Sequence, residues 1–162
     1  MSAASIDFQT LLAYNHADAE RWHAFFVQHP DALEIEVGGK MPRVRNLIAH
    51  ICEVEAFFAS ELNAPGAASY VQLNPDSLDE MFAKHEEAHG LATRFVESAT
   101  EDDMQKMHSF PRRPEYKFSS RKLLAQFIWH GINHWGQIAM LVRRAGLETG
   151  PPHDIIISTV LQ

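Results

Sequence analysis

The chain has 162 residues, 46% of them apolar, and its formal net charge is −7 with histidine counted as neutral. A chain of this length and composition can bury one substantial core, so we expect a single domain over residues 1–162. Its lysine and arginine residues are scattered rather than gathered into a basic stripe, which argues against a nucleic-acid partner.

Several features predict the compartment. Cys52 is the single cysteine, so an intramolecular disulfide is excluded and a reducing environment is favoured. The opening residues MSAASIDFQT have neither the basic region nor the apolar core of a signal peptide. No apolar run approaches the roughly 18–20 residues that span a bilayer. We therefore expect a cytoplasmic protein that does not act at a membrane.

Two amphipathic helices are predicted in the N-terminal part of the chain. Residues 5–29 carry apolar side chains at helical spacing and end before Pro30. The glycine pair at 38 and 39 indicates a linker. Pro42 suits the first turn of a second helix, because its missing N–H would be unpaired there, and the apolar repeat continues to about Leu62.

A third helix is predicted to begin at Ser77, which with Glu80 matches a capping box, and to continue to about Val96. Residues 100–103 indicate one short extra turn. The connection that follows contains two prolines, at 111 and 114, and so cannot be helical throughout.

The fourth helix begins near Ser120 and ends at a basic pair, Arg143 and Arg144, that complements the helix dipole. The apolar tail at residues 155–157 is expected to dock on another apolar surface. Four long amphipathic helices without a convincing sheet predict an all-α fold, a four-helix bundle with longer crossover connections.

Two histidines, His130 and His134, lie four residues apart in the fourth helix. At this spacing both rings project from one side, with Cβ atoms about 5–6 Å apart, and two nitrogens can reach one metal ion. They share the apolar stripe of Phe127 and Ile138, so we expect them to point into the bundle. His50 lies at the edge of the stripe of the second helix and is the third candidate ligand.

Neighbouring carboxylates offer partners for these rings. Glu53 lies three residues after His50 and could accept its outer N–H, the usual arrangement behind a metal-bound histidine. Glu55 fits either a similar supporting role or a surface position. The alternative is that the histidines are core residues bonded to carboxylates or carbonyls, with no metal.

The segment from Trp129 to Gln137 resembles the DinB/YfiT-like family of four-helix-bundle metalloproteins, whose members carry an Asn-His-x-x-His-His-Arg-Gly-Gln pattern in the last helix. Residues 47–51, Leu-Ile-Ala-His-Ile, resemble the family's second-helix motif. The resemblance covers nearly the whole chain and is strongest in the last helix. It implies that the metal ligands are His50, His130 and His134.

The chain departs from the family pattern at three positions. Trp129 stands where the family has Asn, Asn133 replaces the first His of the His-His pair, and Trp135 replaces its Arg. None of these positions is a ligand in the pattern. Trp135 does place in question any substrate contact that the family's Arg makes.

A competing motif lies in the third helix. His85, Glu86 and His89 form a literal H-E-x-x-H, the metallopeptidase signature in which Glu acts as general base. The continuation of that signature is missing, since Ala92 and Phe95 stand where a glycine and a histidine are needed. We also expect no edge strand to bind a peptide, so the metallopeptidase is the weaker alternative.

Three neutral imidazoles on a divalent ion leave coordination positions open, which is typical of catalytic sites. All-nitrogen ligation suits Zn or Ni first, and Fe or Cu as well. The resemblance implies either metal-dependent hydrolysis or a transfer reaction with a low-molecular-weight thiol as nucleophile, acting on a small-molecule substrate.

Two alternatives from other classes remain. One is a non-catalytic metal- or ligand-binding bundle, with a fourth protein ligand such as His89. The other is a purely structural bundle that binds no metal and dimerises through an apolar face. The apolar tail and the exposed aromatic residues are compatible with a homodimer, since symmetric pairs are the commonest assembly.

Overall fold

The computed structural model describes residues 6–66, 68–110, 113–147 and 158–161. The chain is mostly helical, as the sequence predicted, and the apolar tail at residues 155–157 lies outside the described residues. The helices in chain order are α1 (Phe8–Gln28), α2 (Val44–Asn63), α3 (Leu78–Ser98), the short α4 (Glu101–Gln105) and α5 (Ser120–Arg144).

Two short antiparallel hairpins interrupt the helices, although the sequence showed no convincing sheet. They pair β1 (Glu36–Gly38) with β2 (Met41–Arg43), and β3 (Met107–Phe110) with β4 (Arg113–Ser119). Gly38 and Gly39 have φ of +98° and +63°, which glycine adopts without strain, so the expected linker is a tight turn. Pro42 therefore lies in β2, and the prediction that it starts the second helix was wrong.

Hydrogen bonds to capping side chains fix where two of the long helices begin. The Ser77 hydroxyl accepts the N–H of Glu80 at 3.3 Å, as the capping motif predicted. Ser119 does the same for Lys122 at 3.2 Å, so α5 begins where expected. None of the helices in the described part of the chain is long and apolar enough to cross a membrane.

The four long helices share one interior, since α2 contacts both α3 and α5, and α1 contacts the same two helices. Buried apolar side chains form two clusters along this interior. One is centred on Trp22, Ile48 and Trp135, and the other on Leu12, Leu124 and Phe127.

A layer with one residue from each long helix separates these two clusters. Asn15, Glu55 and His85 contribute polar side chains, and Gly131 leaves the space that they occupy. Glu55 is fully buried, and its carboxylate accepts the Nδ1–H of His85 at 2.6 Å and an amide N–H of Asn15 at 3.5 Å. A Cβ on Gly131 would lie 2.7 Å from Asn15 Oδ1 and 3.0 Å from Glu55 Oε1. Glycine is therefore required where α5 crosses this layer.

The two histidines of α3 have opposite electrostatic settings. Burial by itself lowers the pKa of His85, but the charge and hydrogen bond of Glu55, with Glu86 and Glu20 nearby, outweigh it and raise the pKa. Burial lowers the pKa of His89 to about 4, and its neutral ring donates Nε2–H to the carbonyl of Leu12 at 2.7 Å.

A third buried histidine, His108, fixes the β3–β4 hairpin to the helices. His108 donates Nδ1–H to Glu61 at 3.0 Å, and its Nε2 lies 2.8 Å from Ser120 Oγ. This order of groups matches that of a nucleophilic serine site. Ser120 is only 1% exposed, however, so no substrate reaches the hydroxyl, and the three residues act as a structural anchor.

The missing Cβ of Gly131 gives a direct test of the polar layer. We expect Gly131→Ala to lower the free energy of unfolding by about 1–3 kcal/mol, because the new methyl group overlaps Asn15 and Glu55. Gly136→Ala is the matched control, since it lies in the same helix with nothing within 4 Å of its Cβ. It should stabilise by up to about 1 kcal/mol. Equal effects of the two changes in urea titration would contradict a crowded layer.

The titration of the α3 histidines gives a second test. NMR should find the pKa of His85 above its ordinary value of 6.5 and that of His89 near 4. His85 therefore contributes stability below pH 6.5 that is lost as pH rises through its folded pKa. His89 has the opposite sign, because the unfolded state takes up its proton first and stability falls between pH 6.5 and about 4. Glu55→Gln should lower the pKa of His85; an unchanged value would contradict the pairing.

Candidate metal centre

Three histidine rings converge between α2 and α5. His50 comes from α2, while His130 and His134 come from α5, one helical turn apart. One nitrogen from each ring lies within 4.8 Å of the other two, and the Nε2 atoms of His50 and His130 are 3.3 Å apart. The structure thus brings together the three residues selected from the sequence.

The spacing of these nitrogens fits a shared ion. Two nitrogens bound at 2.0–2.1 Å to a tetrahedral ion are about 3.3–3.4 Å apart, which is the separation between His50 and His130. The Nδ1 atom of His130 is buried, without a hydrogen-bond partner among the described residues. Burying this polar ring costs free energy, which a metal bond at the other nitrogen would offset.

A glutamine orients the third ring. The Nδ1–H of His134 donates to Oε1 of Gln137 at 2.8 Å. This bond leaves Nε2 unprotonated and available to a metal, in the way that partners behind metal-bound histidines usually act. The sequence reasoning missed Gln137, although its position three residues after His134 on the same helix is a usable signal.

The electrostatic setting favours the neutral form of two of the rings, those of His50 and His130. Burial, and then the charge of His134, lower the pKa of His50. Burial, followed by the charges of His134 and His50, lowers the pKa of His130 to about 3. Only the neutral imidazole has a lone pair to offer a metal, so these shifts favour the binding form at neutral pH.

Comparison with known protein families places most of the chain in one family. The sequence model of the DinB family matches residues 1–155. The chain belongs to the DinB family. The resemblance seen in the sequence is thereby confirmed, while a search of curated proteins finds no match to this chain.

The three converging histidines of this DinB protein lie beside the core rather than in it. Gly131 and Trp135 occupy the buried side of α5, whereas His130 and His134 are half-buried. Each ligand precedes a core residue by one position, or about 100° around the helix. The expectation that both rings share the innermost stripe was therefore wrong. Their position at the edge gives the centre access to solvent.

The two carboxylates next in sequence to His50 have other partners. Glu53 accepts the backbone N–H of Leu73 at 2.8 Å, which ties the segment before α3 to α2. Its support of His50 stays a prediction. Glu55 is neither at the surface nor beside the three histidines, because its carboxylate belongs to the buried polar layer with His85. Cys52 points into the core, as its angle from His50 predicted.

The positions where this DinB chain departs from the family pattern have different surroundings. Trp135 is 1% exposed and stacks on Trp22 at 6.0 Å, so it is a core residue. Trp129 is 61% exposed, and Asn133 is exposed as well.

The H-E-x-x-H motif does not form a metal-binding group among the described residues. His85 is bonded to Glu55 and His89 to the carbonyl of Leu12, so their donor atoms face different partners. Glu86 lies on the surface, 3.4 Å from His16. The β3–β4 hairpin does supply the strands that the sequence did not predict, but His85 and His89 belong to no group of donors among the described residues that could hold an ion.

The role assigned to Gln137 can be measured directly. We expect Gln137→Leu to weaken Zn²⁺ affinity about 10–100-fold, because it removes the acceptor that fixes the tautomer of His134. Gln137→Glu keeps an acceptor oxygen and should bind at least as tightly as the unmodified protein. Competition with a chromogenic chelator gives both constants. Equal losses in the two variants would show that the hydrogen bond has no such role.

Proposed function

We propose that this DinB protein is a four-helix-bundle, metal-dependent enzyme that uses His50, His130 and His134 to bind one divalent transition metal, Zn or Ni in the first place and Fe or Cu as further options. The observation that carries the proposal is the approach of three imidazole nitrogens within 4.8 Å of one another. Family membership supports the same assignment.

The reaction class follows from the donor set. When bound, the ion would act as a Lewis acid that lowers the pKa of a water or of a small thiol and so supplies a nucleophile at neutral pH. Three neutral ligands leave the full positive charge of the ion in place, which favours binding of an anionic nucleophile. We therefore propose hydrolysis or thiol transfer on a small-molecule substrate, with a low-molecular-weight thiol as partner in the second case.

The residues of the chain have distinct tasks in this proposal. Gln137 holds His134 in the tautomer that presents Nε2. Phe58 stands edge-on to His130, with ring centroids 6.2 Å apart, and shields that side of the centre from water. The half-buried position of the three rings leaves a side open for substrate.

A non-catalytic metal-binding protein is the alternative, and it requires a closed coordination shell. His89 was the candidate for a fourth ligand, but it is bonded to Leu12. The group of donors among the described residues contains three histidines and no carboxylate. This favours an open centre, and with it the enzyme.

Metal content is the first test. Protein purified without a nickel column should hold about one transition metal per chain. The variants His50→Ala, His130→Ala and His134→Ala should each hold almost none, because two nitrogens retain the ion poorly. His23→Ala is the control, since this half-buried ring stacks on Phe82 instead. Plasma mass spectrometry after dialysis gives the content.

The same variants test catalysis. Hydrolysis of activated esters and thiol transfer to electrophiles should both be assayed, with and without an added low-molecular-weight thiol. Product that requires the thiol identifies a transferase, and product without it identifies a hydrolase. A protein that holds no metal and takes up neither Zn²⁺ nor Ni²⁺ would overturn the proposal.

A further inference from the structure

A cavity of about 230 Å³ lies between α2, the β3–β4 hairpin and α5. Its apolar wall contains Phe58, Phe110 and Phe118, and polar side chains that include Lys117, Lys122 and Gln126 complete the lining. An apolar cavity of about 150 Å³ is large enough to hold benzene. This cavity therefore accommodates one aromatic ring with a substituent.

The cavity adjoins the three histidines. Phe58 is shared, because its ring is 6.2 Å from that of His130 and 6.3 Å from that of Phe110. Gln126 lies four residues before His130 on α5, so the two side chains project from the same side of the helix, about 6 Å apart along its axis. A ligand in the cavity is thus one helical turn from the candidate metal centre.

The polar part of the cavity lining is positively charged, although the net charge of the protein is −7. The arginines nearby have acidic partners, since Arg113 pairs with Glu115 at 3.7 Å and Arg121 with Glu101 at 2.6 Å. Lys117 and Lys122 have no such partner among the salt bridges of the described residues. Two uncompensated ammonium groups beside an aromatic wall favour a ligand with a flat apolar body and an anionic group.

We propose that this cavity binds the substrate of the metal centre, and that the substrate is a small aromatic carboxylate. Its ring packs against Phe58, Phe110 and Phe118, its carboxylate lies at Lys117 and Lys122, and its reactive group extends past Phe58 toward His130. The assignment rests on the proposed function, which it deepens by naming the substrate class.

Benzoate is the probe, and benzyl alcohol is its neutral counterpart of similar size. Titration of the Zn²⁺-loaded protein, followed by NMR, should shift the ring signals of Phe110 and Phe118. The double variant Lys117→Gln/Lys122→Gln should weaken benzoate binding about fivefold to tenfold and leave benzyl alcohol unchanged. Lys40→Gln, in the distant β1–β2 turn, is the matched control and should change neither.

Phe110→Ala should weaken the binding of both probes, because it removes part of the wall they share. If benzoate binds the double lysine variant as tightly as the unmodified protein, but only when Zn²⁺ is present, its carboxylate lies at the histidines and the assignment is overturned. Shifts confined to other parts of the protein would overturn it as well.

Adjacency to the histidines is tested with a paramagnetic ion. With Cu²⁺ in place of Zn²⁺, the protons of bound benzoate should relax faster, and His134→Ala should abolish that effect while benzoate still binds. Metal content measured on the same samples separates the two proposals. Metal uptake without benzoate binding overturns the substrate assignment alone, and benzoate binding by the unmodified protein that takes up no metal overturns the proposed function.

Discussion

The burial of Glu55 is the constraint on which the rest of the structure depends. A carboxylate with no exposed surface is tolerated only where other groups satisfy it, and here those groups come from α1 and α3. The helix α5 has glycine at position 131, where a side chain would overlap this layer. One register of the four long helices meets all of these conditions together, because sliding α1, α2 or α5 by four residues would bring an apolar residue to the position of Asn15, Glu55 or Gly131.

That register also sets the metal centre. His50 precedes Glu55 by five residues on α2, and His130 directly precedes Gly131 on α5. The contact that aligns Glu55 with Gly131 therefore aligns the two helices that carry the histidines. The same alignment of α2 and α5 therefore buries the polar layer and brings the histidines together. The polar layer lies inside the core, and the candidate ligands lie at its edge.

The sequence was sufficient for the helices and for the identity of the converging histidines. Apolar residues at helical spacing, serine caps and prolines are local signals, and His130 and His134 lie within one turn of each other. The hairpins were missed because their strands are short, and a glycine pair followed by Pro42 fits a linker and a helix start equally well. The polar layer was missed for another reason: Asn15, Glu55 and His85 are far apart in the chain, and each alone resembles a surface residue. Which side of α5 faces inward depended on Gly131, whose small size only the packed structure explains.

The absent side chain at position 131 also restricts how the sequence can change over evolutionary time. A larger residue there is tolerated only together with a smaller one at position 15 or 55, since the two side chains occupy the space that its Cβ would need. Changes at these positions are therefore non-additive, and each is costly alone and milder in combination. We therefore expect substitutions in this layer to be accepted in pairs, so that the order of mutations decides which sequences can be reached.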